Sequence, residues 1–497
     1  MMALGARPTM VRNVRISGPT AELLATDEPV DLCLSGGRIV DIAPHGALRA
    51  GGESIDGDGL WAIPGLWDHH VHLTPWALRA TRTFLGGAQN AREAAAVIAR
   101  VAPDADGIRV GMGFRDALWP DEPTLAILDA ATGDVPTYLV NADLHSVWLN
   151  SAALRREGRA GGDGSGMLRE ADAFELSARL DALVADRADA LVAEAADAAA
   201  ARGVVGVVDL DFAWNADSWR RRVADGFDAL RIAFGVYPDD LGRARSAGLR
   251  TGESLGGEGL VRVGPLKIIA DGSLGTRTAA CSHPYPDTGR GVLAYDAQSL
   301  TMLVAEGVAA GFDIAVHGIG DRAVTLALDA FARTGASGSV EHAQLVDRVD
   351  LARFAHLGVT ASVQPAHALD DRELVGAEWG AQTGLAYPLR TLHAAGANIV
   401  FGSDAPVAAL DPWGAMADAV GRRRGDEDVW RGEERLDVAT ALAASTALGT
   451  AHRTELAPGS VADVAFCTAD PYAADADGLR AMSVGLTLLA GRVTHLG

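Results

Sequence analysis

The sequence predicts an α/β fold, a (β/α)8 TIM barrel with a small β-sandwich domain built from both ends of the chain. Three observations support this prediction. Short apolar segments alternate with helical segments through the centre of the chain, polar residues follow several of these segments, and both ends carry β-rich runs broken by glycine. With 497 residues, the chain exceeds the usual domain size of about 100–150 residues, so we expect one large and one smaller domain.

The two ends of the chain predict the smaller domain. Apolar and β-branched runs separated by glycine turns are typical of hairpins. The runs are VRNVRIS, VDLCLSGGRIVDIAP and ESIDGDGLWAIPG in the first part of the chain, and SVADVAFCTA and VGLTLLAGRVTHLG in the last. We therefore assign residues 1–64 and 455–497 to one composite β-sandwich and residues 65–454 to the barrel.

The centre of the chain predicts parallel strands joined by helices. Brief, β-branched segments bounded by glycine, proline or aspartate are typical of buried strands. They are VPTYLVNAD, GVVGVVDLD, LRIAFGVY, LVRVGPLKIIADG, FDIAVHGIG, GSVEHAQL, GVTASVQPAH and ANIVFGSDAP, and the helical segments are 179–202, 322–333, 410–424 and 436–448. This alternation fits a closed barrel or an open doubly wound sheet. Polar residues at the ends of many different strands favour the barrel, because its strand ends converge on one rim.

Composition excludes several classes of partner. Lysine and arginine number 43 against 65 aspartates and glutamates, and the net charge of −22 repels nucleic acids and anionic membranes. No stretch has the roughly 18 uninterrupted apolar residues of a membrane helix, and no signal peptide is evident. We expect a cytoplasmic protein with a small-molecule substrate, and homodimer formation is left open. Cys33, Cys281 and Cys467 form no CxxC pair, so any metal must use nitrogen and oxygen ligands.

The segment WDHHVHL at positions 67–73 holds three histidines and an aspartate. On a strand, His70 and His72 point to the same side, and Asp68 joins them there. His69 points the other way. Two imidazoles about 6.5–7 Å apart along a strand can bind one ion. The alternative is a polar strand end whose nitrogens are hydrogen-bonded within the fold.

Two further histidines and an aspartate end apolar strands. His317 ends the strand of IAVHGIG, and His342 ends that of GSVEHAQ, one βα unit later. A buried histidine is unfavourable when its nitrogens lack partners, and a shared cation would supply partners to both. Asp404, in IVFGSDAPV, either caps the next helix or serves as a metal ligand and base.

Lys267 lies in the middle of an apolar strand, in VRVGPLKIIADG. Burial disfavours the ammonium and lowers its pKa, and the neutral amine can take up carbon dioxide. The resulting carbamate is an anionic oxygen ligand able to bridge two metal ions. The alternative is a lysine paired with Asp271 or another carboxylate at the barrel mouth.

Several ordered motifs resemble the amidohydrolase superfamily, specifically the amidohydrolase family 3 branch that includes N-substituted formamide deformylases. The motifs are PGLWDHHVHL, PLKIIADGSLGTRTAA, IAVHGIGDRAV, EHAQLVDRVDLARFAHLGVTASVQPAH, FGSDAPV and LAPGSVADVAF. They span nearly the whole chain. The resemblance implies a metal-dependent hydrolase with a (β/α)8 barrel and a composite sandwich.

The same resemblance implies the roles of individual residues. His70 and His72 would bind one metal, His317 and His342 the second, and Asp404 would ligate the first metal and carry a proton. Lys267 is similar to a strand-four lysine that is carboxylated in related branches, and Glu170 is a substitute carboxylate or the first turn of a helix. The cofactor would be one or two divalent ions, zinc first among those that these ligands suit.

Five residues are predicted around the substrate. His145 and His367 are similar to family positions that contact the substrate or the developing oxyanion, and each alternatively belongs to the wall of the site. Asp271 and Arg277 follow Lys267 in a loop, where Arg277 would clamp a substrate carboxylate or form a surface pair. Trp119 lines the pocket or packs within the fold.

The predicted reaction is hydrolysis of an amide-type C–N bond, in an N-acyl, N-formyl or cyclic amide compound, by a water that the metal activates. Asp404 would take the proton of that water and deliver it to the leaving nitrogen. The alternatives are a deaminase, an ester or lactone hydrolase using the same site, and a barrel that binds metal without catalysis.

Overall fold

A computed structural model describes residues 4–24, 28–49, 51–159, 163–380, 382, 384–451 and 455–497. The strands are β1 (Met10–Ile16), β2 (Val30–Ser35), β3 (Arg38–Pro44), β4 (Ser54–Asp56), β5 (Trp61–Pro64), β6 (Leu66–Val71), β7 (Thr83–Phe84), β8 (Arg109–Phe114), β9 (Thr137–Asn141), β10 (Ser146–Leu149), β11 (Met167–Arg169), β12 (Val204–Asp209), β13 (Arg231–Val236), β14 (Ser254–Gly256), β15 (Val261–Ile269), β16 (Ile314–Gly318), β17 (Gly338–His342), β18 (Leu345–Val346), β19 (Thr360–Val363), β20 (Leu385–Ala386), β21 (Ile399–Phe401), β22 (Val464–Cys467), β23 (Val484–Leu489) and β24 (Arg492–Leu496).

The helices follow the same chain order. They are α1 (Gly18–Leu24), α2 (Leu73–Leu78), α3 (Ala91–Ala99), α4 (Leu125–Thr132), α5 (Ser151–Arg156), α6 (Ala171–Ala182), α7 (Ala185–Ala200), α8 (Asn215–Ala224), α9 (Leu241–Ser246), α10 (Ala297–Ala309), α11 (Asp321–Thr334), α12 (Leu351–Leu357), α13 (Pro365–Asp370), α14 (Arg372–Glu378), α15 (Leu389–Ala394), α16 (Pro412–Gly421), α17 (Val438–Ala444) and α18 (Ala476–Arg480). Among the described residues, none of these helices is both long and apolar enough to cross a bilayer.

The barrel consists of strands paired in parallel in the order β6, β12, β13, β15, β16, β17, β19 and β21. β21 returns to β6, where Val71 bridges Ala405 and the Asp404 amide donates to the His70 carbonyl at 2.7 Å. A closed ring brings all eight carboxyl ends to one rim. The predicted (β/α)8 barrel is therefore confirmed, and the open sheet is excluded.

The two ends of the chain form a separate sheet in the order β24, β23, β22, β5, β1, β2 and β3, with β4 on β1. β22 pairs antiparallel with β5, so strands from both ends are neighbours in it. Its own apolar core includes Val11, Leu32 and Phe466. The separate terminal sheet predicted as part of the fold class is thus confirmed. Residues 452–454, beside the predicted boundary at 454, lie outside the described residues.

An insertion between β6 and β12 carries a further sheet, ordered β11, β10, β9, β8 and β7. The segment VPTYLVNAD, predicted as a barrel strand, is β9 of this sheet, so that assignment was wrong. The pattern of β9 resembles that of a barrel strand because β9 is buried along its whole length and pairs in parallel with β8. The first place in the barrel belongs to β6, which carries His70.

Candidate metal centre

The carboxyl ends of the barrel strands and the insertion enclose a cavity, which we call the catalytic cavity. It holds about 940 Å³, including its open mouth. Its lining includes all six predicted metal ligands and both predicted catalytic histidines: His70, His72, His145, Lys267, His317, His342, His367 and Asp404. Strands that are far apart in the sequence thus meet at one site, as expected for a barrel.

His70, His72 and Asp404 lie close together in the cavity. The Nε2 atoms of His70 and His72 lie 3.5 and 3.2 Å from Oδ1 of Asp404. The loop that carries Asp404 is held to β6 by the backbone, since the His72 amide donates to the Ala405 carbonyl at 2.8 Å. His69 faces away, with Nε2 at 2.9 Å from the Thr446 carbonyl, so the alternation predicted for these histidines holds.

Burial and the neighbouring charges set the ionisation of Asp404. Burial opposes the charged carboxylate, but His70, His72 and His342 outweigh it and hold the pKa of Asp404 well below its ordinary value. Asp404 is therefore an anion at neutral pH. Its φ of 57° shows a tight turn that aims the carboxylate into the mouth.

Lys267 lies on β15, the fourth strand of the barrel, with its side chain buried. Its Nζ is 3.5 Å from His70 Nε2. Burial lowers the pKa of Lys267 to about 8, although the charges of Glu341 and Asp404 act in the opposite direction. A lysine with this pKa carries a substantial fraction of neutral amine near neutral pH, the form needed for carbamate formation.

Asp271 does not lie in the lining of the catalytic cavity, where it was predicted to contact the substrate. Its carboxylate accepts backbone N–H groups of Ala280, Ile319 and Gly320 at 2.8 to 3.0 Å. Burial raises the pKa of Asp271 to about 7, against these hydrogen bonds. Asp271 therefore fixes two loops beside His317, whose Nε2 is 3.5 Å from its Oδ1.

Arg277 and Trp119, the other predicted substrate contacts, also lie outside the lining of that cavity. Arg277 forms an ion pair with Glu378, with Nη2 and Oε1 2.8 Å apart, which is the surface pair left open above. Trp119 donates its indole N–H to the Ala88 carbonyl at 3.0 Å and packs among buried aromatic rings. Both positions match the structural alternative for these residues.

His317 and His342 stand side by side, with ring centroids 4.5 Å apart. Burial holds both pKa values well below the ordinary value, and the charge of Lys267 lowers that of His317 further. Both imidazoles are therefore neutral, as a metal ligand must be. Nδ1 of His342 is 2.9 Å from the Gln364 side-chain oxygen, so its other nitrogen can face the cavity.

Glu341 is a functional candidate to which sequence reasoning assigned no role. Its Oε2 lies 2.6 Å from Nδ1 of His70, and only 2% of the residue is exposed. Burial would raise the pKa of Glu341, but the hydrogen bond and charge of His70 and the charge of Lys267 lower it to about 2. A carboxylate on the far nitrogen of a metal-binding histidine fixes the ring and its tautomer. Strand alternation hid this residue, because His342 next to it has left the extended conformation, with φ 72°.

His145 reaches the cavity from the insertion and is held by Glu170, whose Oε2 lies 2.8 Å from His145 Nδ1. Burial disfavours the imidazolium, yet the hydrogen bond and charge of Glu170 raise the pKa of His145 above its ordinary value. The other oxygen of Glu170 accepts from the hydroxyls of Thr276 and Thr278. Glu170 thus lies beside His145, and its hydrogen bonds are to this histidine and the two threonines.

His367 also lines the cavity. Its Nδ1 is 3.3 Å from the Gln344 amide nitrogen, and its Nε2 is 3.8 Å from Asp404 Oδ2. This buried Nε2 has no hydrogen-bond partner within the described part of the chain. A buried nitrogen without a partner is unfavourable unless a ligand supplies one.

Two groups of donors can each hold a divalent ion, and they share Asp404. His70 and His72 form one group with it, and His342 and His367 form the other, with ligand atoms within 4.8 Å of one another in each. Neutral imidazoles and an ionised carboxylate are donors that divalent transition metals accept. These donors fit a divalent metal, but the second group contains His342 and His367, whereas the motifs imply His342 and His317, whose Nε2 lies 3.3 Å from the Gly272 carbonyl oxygen.

Comparison with known proteins identifies the family of the chain. Residues 53–495 match the amidohydrolase family. The chain is 26% identical over 435 residues to N-substituted formamide deformylase of Arthrobacter pascens, covering 78% of this chain and 79% of that protein. It is also 26% identical to the protein LONG AFTER FAR-RED 3 of Arabidopsis thaliana, covering 92% of this chain and 88% of that one.

A solved structure shares the fold. An uncharacterized metal-dependent hydrolase from Pyrococcus horikoshii OT3 superposes with a TM-score of 0.76 at 24% identity, covering 94% of this chain and 99% of that one. Since the family match at residues 53–495 takes in every strand of the barrel and strands β4, β5, β22 and β23 of the terminal sheet, the chain belongs to the amidohydrolase family.

Proposed function

We propose that the protein hydrolyses an amide-type C–N bond of a small molecule, with N-formyl and N-acyl amines as the first class of substrates to test. The observation that carries the proposal is the convergence of buried imidazoles and the Asp404 carboxylate on one cavity, with donors left open toward it. The 26% identity to an N-substituted formamide deformylase directs the choice of bond.

Six side chains would hold the metal in this proposal. His70 and His72 would bind one ion with Asp404, His317 and His342 would bind a second, and Lys267 would bridge them as a carbamate. The Lys267 ammonium would first lose a proton, and the neutral amine would then attack carbon dioxide and release a second proton, so that a buried cation becomes an anionic carbamate. A divalent ion in this place supplies a water of lowered pKa and a Lewis acid for the scissile carbonyl.

Asp404 would move the proton. It is ionised and buried, and Oδ2 faces His367 at 3.8 Å while Oδ1 faces His70 and His72. It would accept the proton of the attacking water and donate it to the leaving nitrogen. No serine or cysteine nucleophile is needed for this route.

His145 would act on the substrate oxygen. Its raised pKa favours the imidazolium, and Glu170 fixes the ring from behind. A positively charged donor near the carbonyl stabilises the negative charge that develops as water adds. His367, whose Nε2 has no hydrogen-bond partner among the described residues, would also contact the substrate.

The test is a hydrolysis screen of N-formyl and N-acyl amines with purified protein, run together with elemental analysis. We expect one or two divalent ions per chain, release of free amine and carboxylate, and loss of turnover on chelation that added metal restores. Ammonia release from cyclic amidines, or acid release from esters and lactones, would favour the two alternative reactions. Bound metal without hydrolysis of any of these compounds would overturn the proposal in favour of a non-catalytic barrel.

A separate measurement tests the carbamate on Lys267. Protein prepared in buffer depleted of carbon dioxide should bind less metal at the second position, and bicarbonate should restore that binding. Equal metal content under both conditions would assign Lys267 the role of a buried amine without a carbamate.

A further inference from the structure

A second cavity lies beside the catalytic cavity, and we call it the side chamber. It holds about 1030 Å³, including its opening, where α6, α7 and α8 meet the loop that follows β12. Apolar side chains such as Val140, Phe174 and Ala178 contribute to its lining. The mechanism proposed above gives this space no role.

Two residues line both cavities, Phe212 and Leu144. The Phe212 ring stacks between His72 and Phe174, with both centroid distances 4.7 Å and both interplanar angles 11°. Leu144 is buried and has φ 64°, a backbone conformation that a branched side chain rarely adopts. Phe212 and Leu144 therefore form the wall between the two cavities.

The three arginines in the lining of the side chamber have carboxylate partners. Arg82 is bonded to Asp181, and Arg222 is bonded to Asp189 with Nε and Oδ1 2.8 Å apart. Arg221 shares Asp189 with Arg222, so no arginine of the lining is left without a carboxylate, and the apolar part of the lining is suited to a neutral group.

Two buried polar atoms of the chamber lining lack hydrogen-bond partners among the described residues, Asp211 Oδ1 and Ser177 Oγ. Asp211 is 4% exposed. Buried polar atoms of folded proteins normally have a partner, so these two point to a ligand group or waters within the chamber.

We propose that Phe212 is the specificity-determining residue of the protein. Its ring limits how long a substituent of the substrate can be, because it closes the side chamber to longer neutral alkyl groups. This inference rests on the function proposed above. A chain attached to the scissile group that passed the plane of Phe212 would enter apolar surroundings. Each methylene buried there would gain roughly 0.8 kcal/mol, which is roughly a fourfold gain in affinity.

The test is a series of N-formyl alkylamines from ethyl to dodecyl, hydrolysed by the metal-loaded wild type and by Phe212→Ala. For the wild type, we expect kcat/KM to stop rising at a certain chain length. For Phe212→Ala, we expect the ratio of kcat/KM for long over short chains to increase by roughly fourfold for each further methylene. Equal ratios in both proteins would overturn the proposal.

A filling variant supplies the control. Ala178 lines the side chamber and is absent from the lining of the catalytic cavity. Ala178→Trp should leave the chain-length profile of the wild type unchanged, and in combination with Phe212→Ala it should remove the gain for long chains. A gain that persists in the double variant would show that long chains go elsewhere. If Phe212→Ala does not fold, Leu144→Ala opens the same wall.

Calorimetric binding of N-decylformamide and N-ethylformamide separates this proposal from the proposed function. If no formamide is hydrolysed, the proposed reaction fails, and the size limit is still measured by the ratio of the two dissociation constants. A ratio that is the same in wild type and Phe212→Ala overturns the role of Phe212, whatever the reaction is.

Discussion

The terminal sheet and the mouth of the barrel differ in whether their buried polar groups have hydrogen-bond partners. In the terminal sheet, the buried Asp31 carboxylate has His45 Nδ1 at 2.8 Å and the backbone N–H groups of Asn13 and Gly46 at 2.9 Å. In the barrel mouth, His367 Nε2 and Gln364 Nε2 are buried without partners in the described part of the chain. Buried polar groups that have hydrogen-bond partners stabilise a fold. Buried polar groups without such partners indicate a place where a ligand can supply the missing hydrogen bond.

The largest expected effect is that of Asp404→Asn, which tests the barrel side of this comparison. The amide keeps an oxygen ligand but cannot take a proton, so kcat should fall roughly 10²–10⁴-fold while metal is retained. Steady-state kinetics together with elemental analysis measures both quantities. Asp418→Asn is the matched control, because Asp418 is a buried carboxylate paired with Arg480 outside the catalytic cavity. Wild-type turnover in Asp404→Asn would contradict the assigned role.

Glu341→Gln should weaken the metal centre without changing its ligands. Loss of the charged hydrogen bond to His70 should lower metal affinity by roughly 10–100-fold, measured by competition with a chelator. Glu434→Gln is the control, because Glu434 is also buried but bonds to the Thr391 amide at 3.0 Å. Equal metal affinity in Glu341→Gln and wild type would remove Glu341 from the centre.

Asp31→Ala tests the terminal sheet, where the buried carboxylate has hydrogen-bond partners. Losing the acceptor of three hydrogen bonds should reduce the free energy of unfolding by about 1–3 kcal/mol at pH 7, with metal content unchanged. Burial raises the pKa of Asp31, but hydrogen bonds from His45, Asn13 and Gly46 bring it below 3.8. The stabilisation is therefore present above pH 3.8 and lost as pH falls through the folded-state pKa.

Urea unfolding at several pH values measures this effect, and the exposed Asp41 provides a control variant, Asp41→Ala, expected to change stability by about 0.5 kcal/mol or less. A difference between wild type and Asp31→Ala that does not narrow toward pH 3 would contradict the pKa shift.

The smallest expected effect is that of Trp119→Phe. The Ala88 carbonyl loses its donor, so stability should fall by about 0.5–1.5 kcal/mol while KM stays the same. Thermal unfolding and steady-state kinetics distinguish a role of Trp119 in stability from a role in substrate binding. A severalfold rise in KM would place Trp119 at the substrate after all.

The sequence predicted the barrel, the terminal sheet and the convergence of the histidines, because periodicity and strand ends are local properties. His69 and His70 illustrate this, since strand alternation alone separates the histidine that bonds to a carbonyl from the one that faces Asp404. VPTYLVNAD was placed in the wrong sheet because a buried parallel strand has the same composition in either sheet.

Contacts between distant segments could not be predicted. Glu341 reaches His70 over 271 positions, and Arg277 meets Glu378 over 101. Which carboxylate faces which cation depends on how loops of different strands pack at the rim. The wall formed by Phe212 likewise depends on the insertion, whose position relative to the barrel no local pattern shows.

The pairing of β22 with β5 has a consequence for synthesis on the ribosome. β5 emerges roughly 400 residues before its partner, so one of its edges stays unpaired while the whole barrel is translated. An exposed strand edge is a template for aggregation. The nascent chain should therefore depend on chaperones until the last strands arrive to seal that edge.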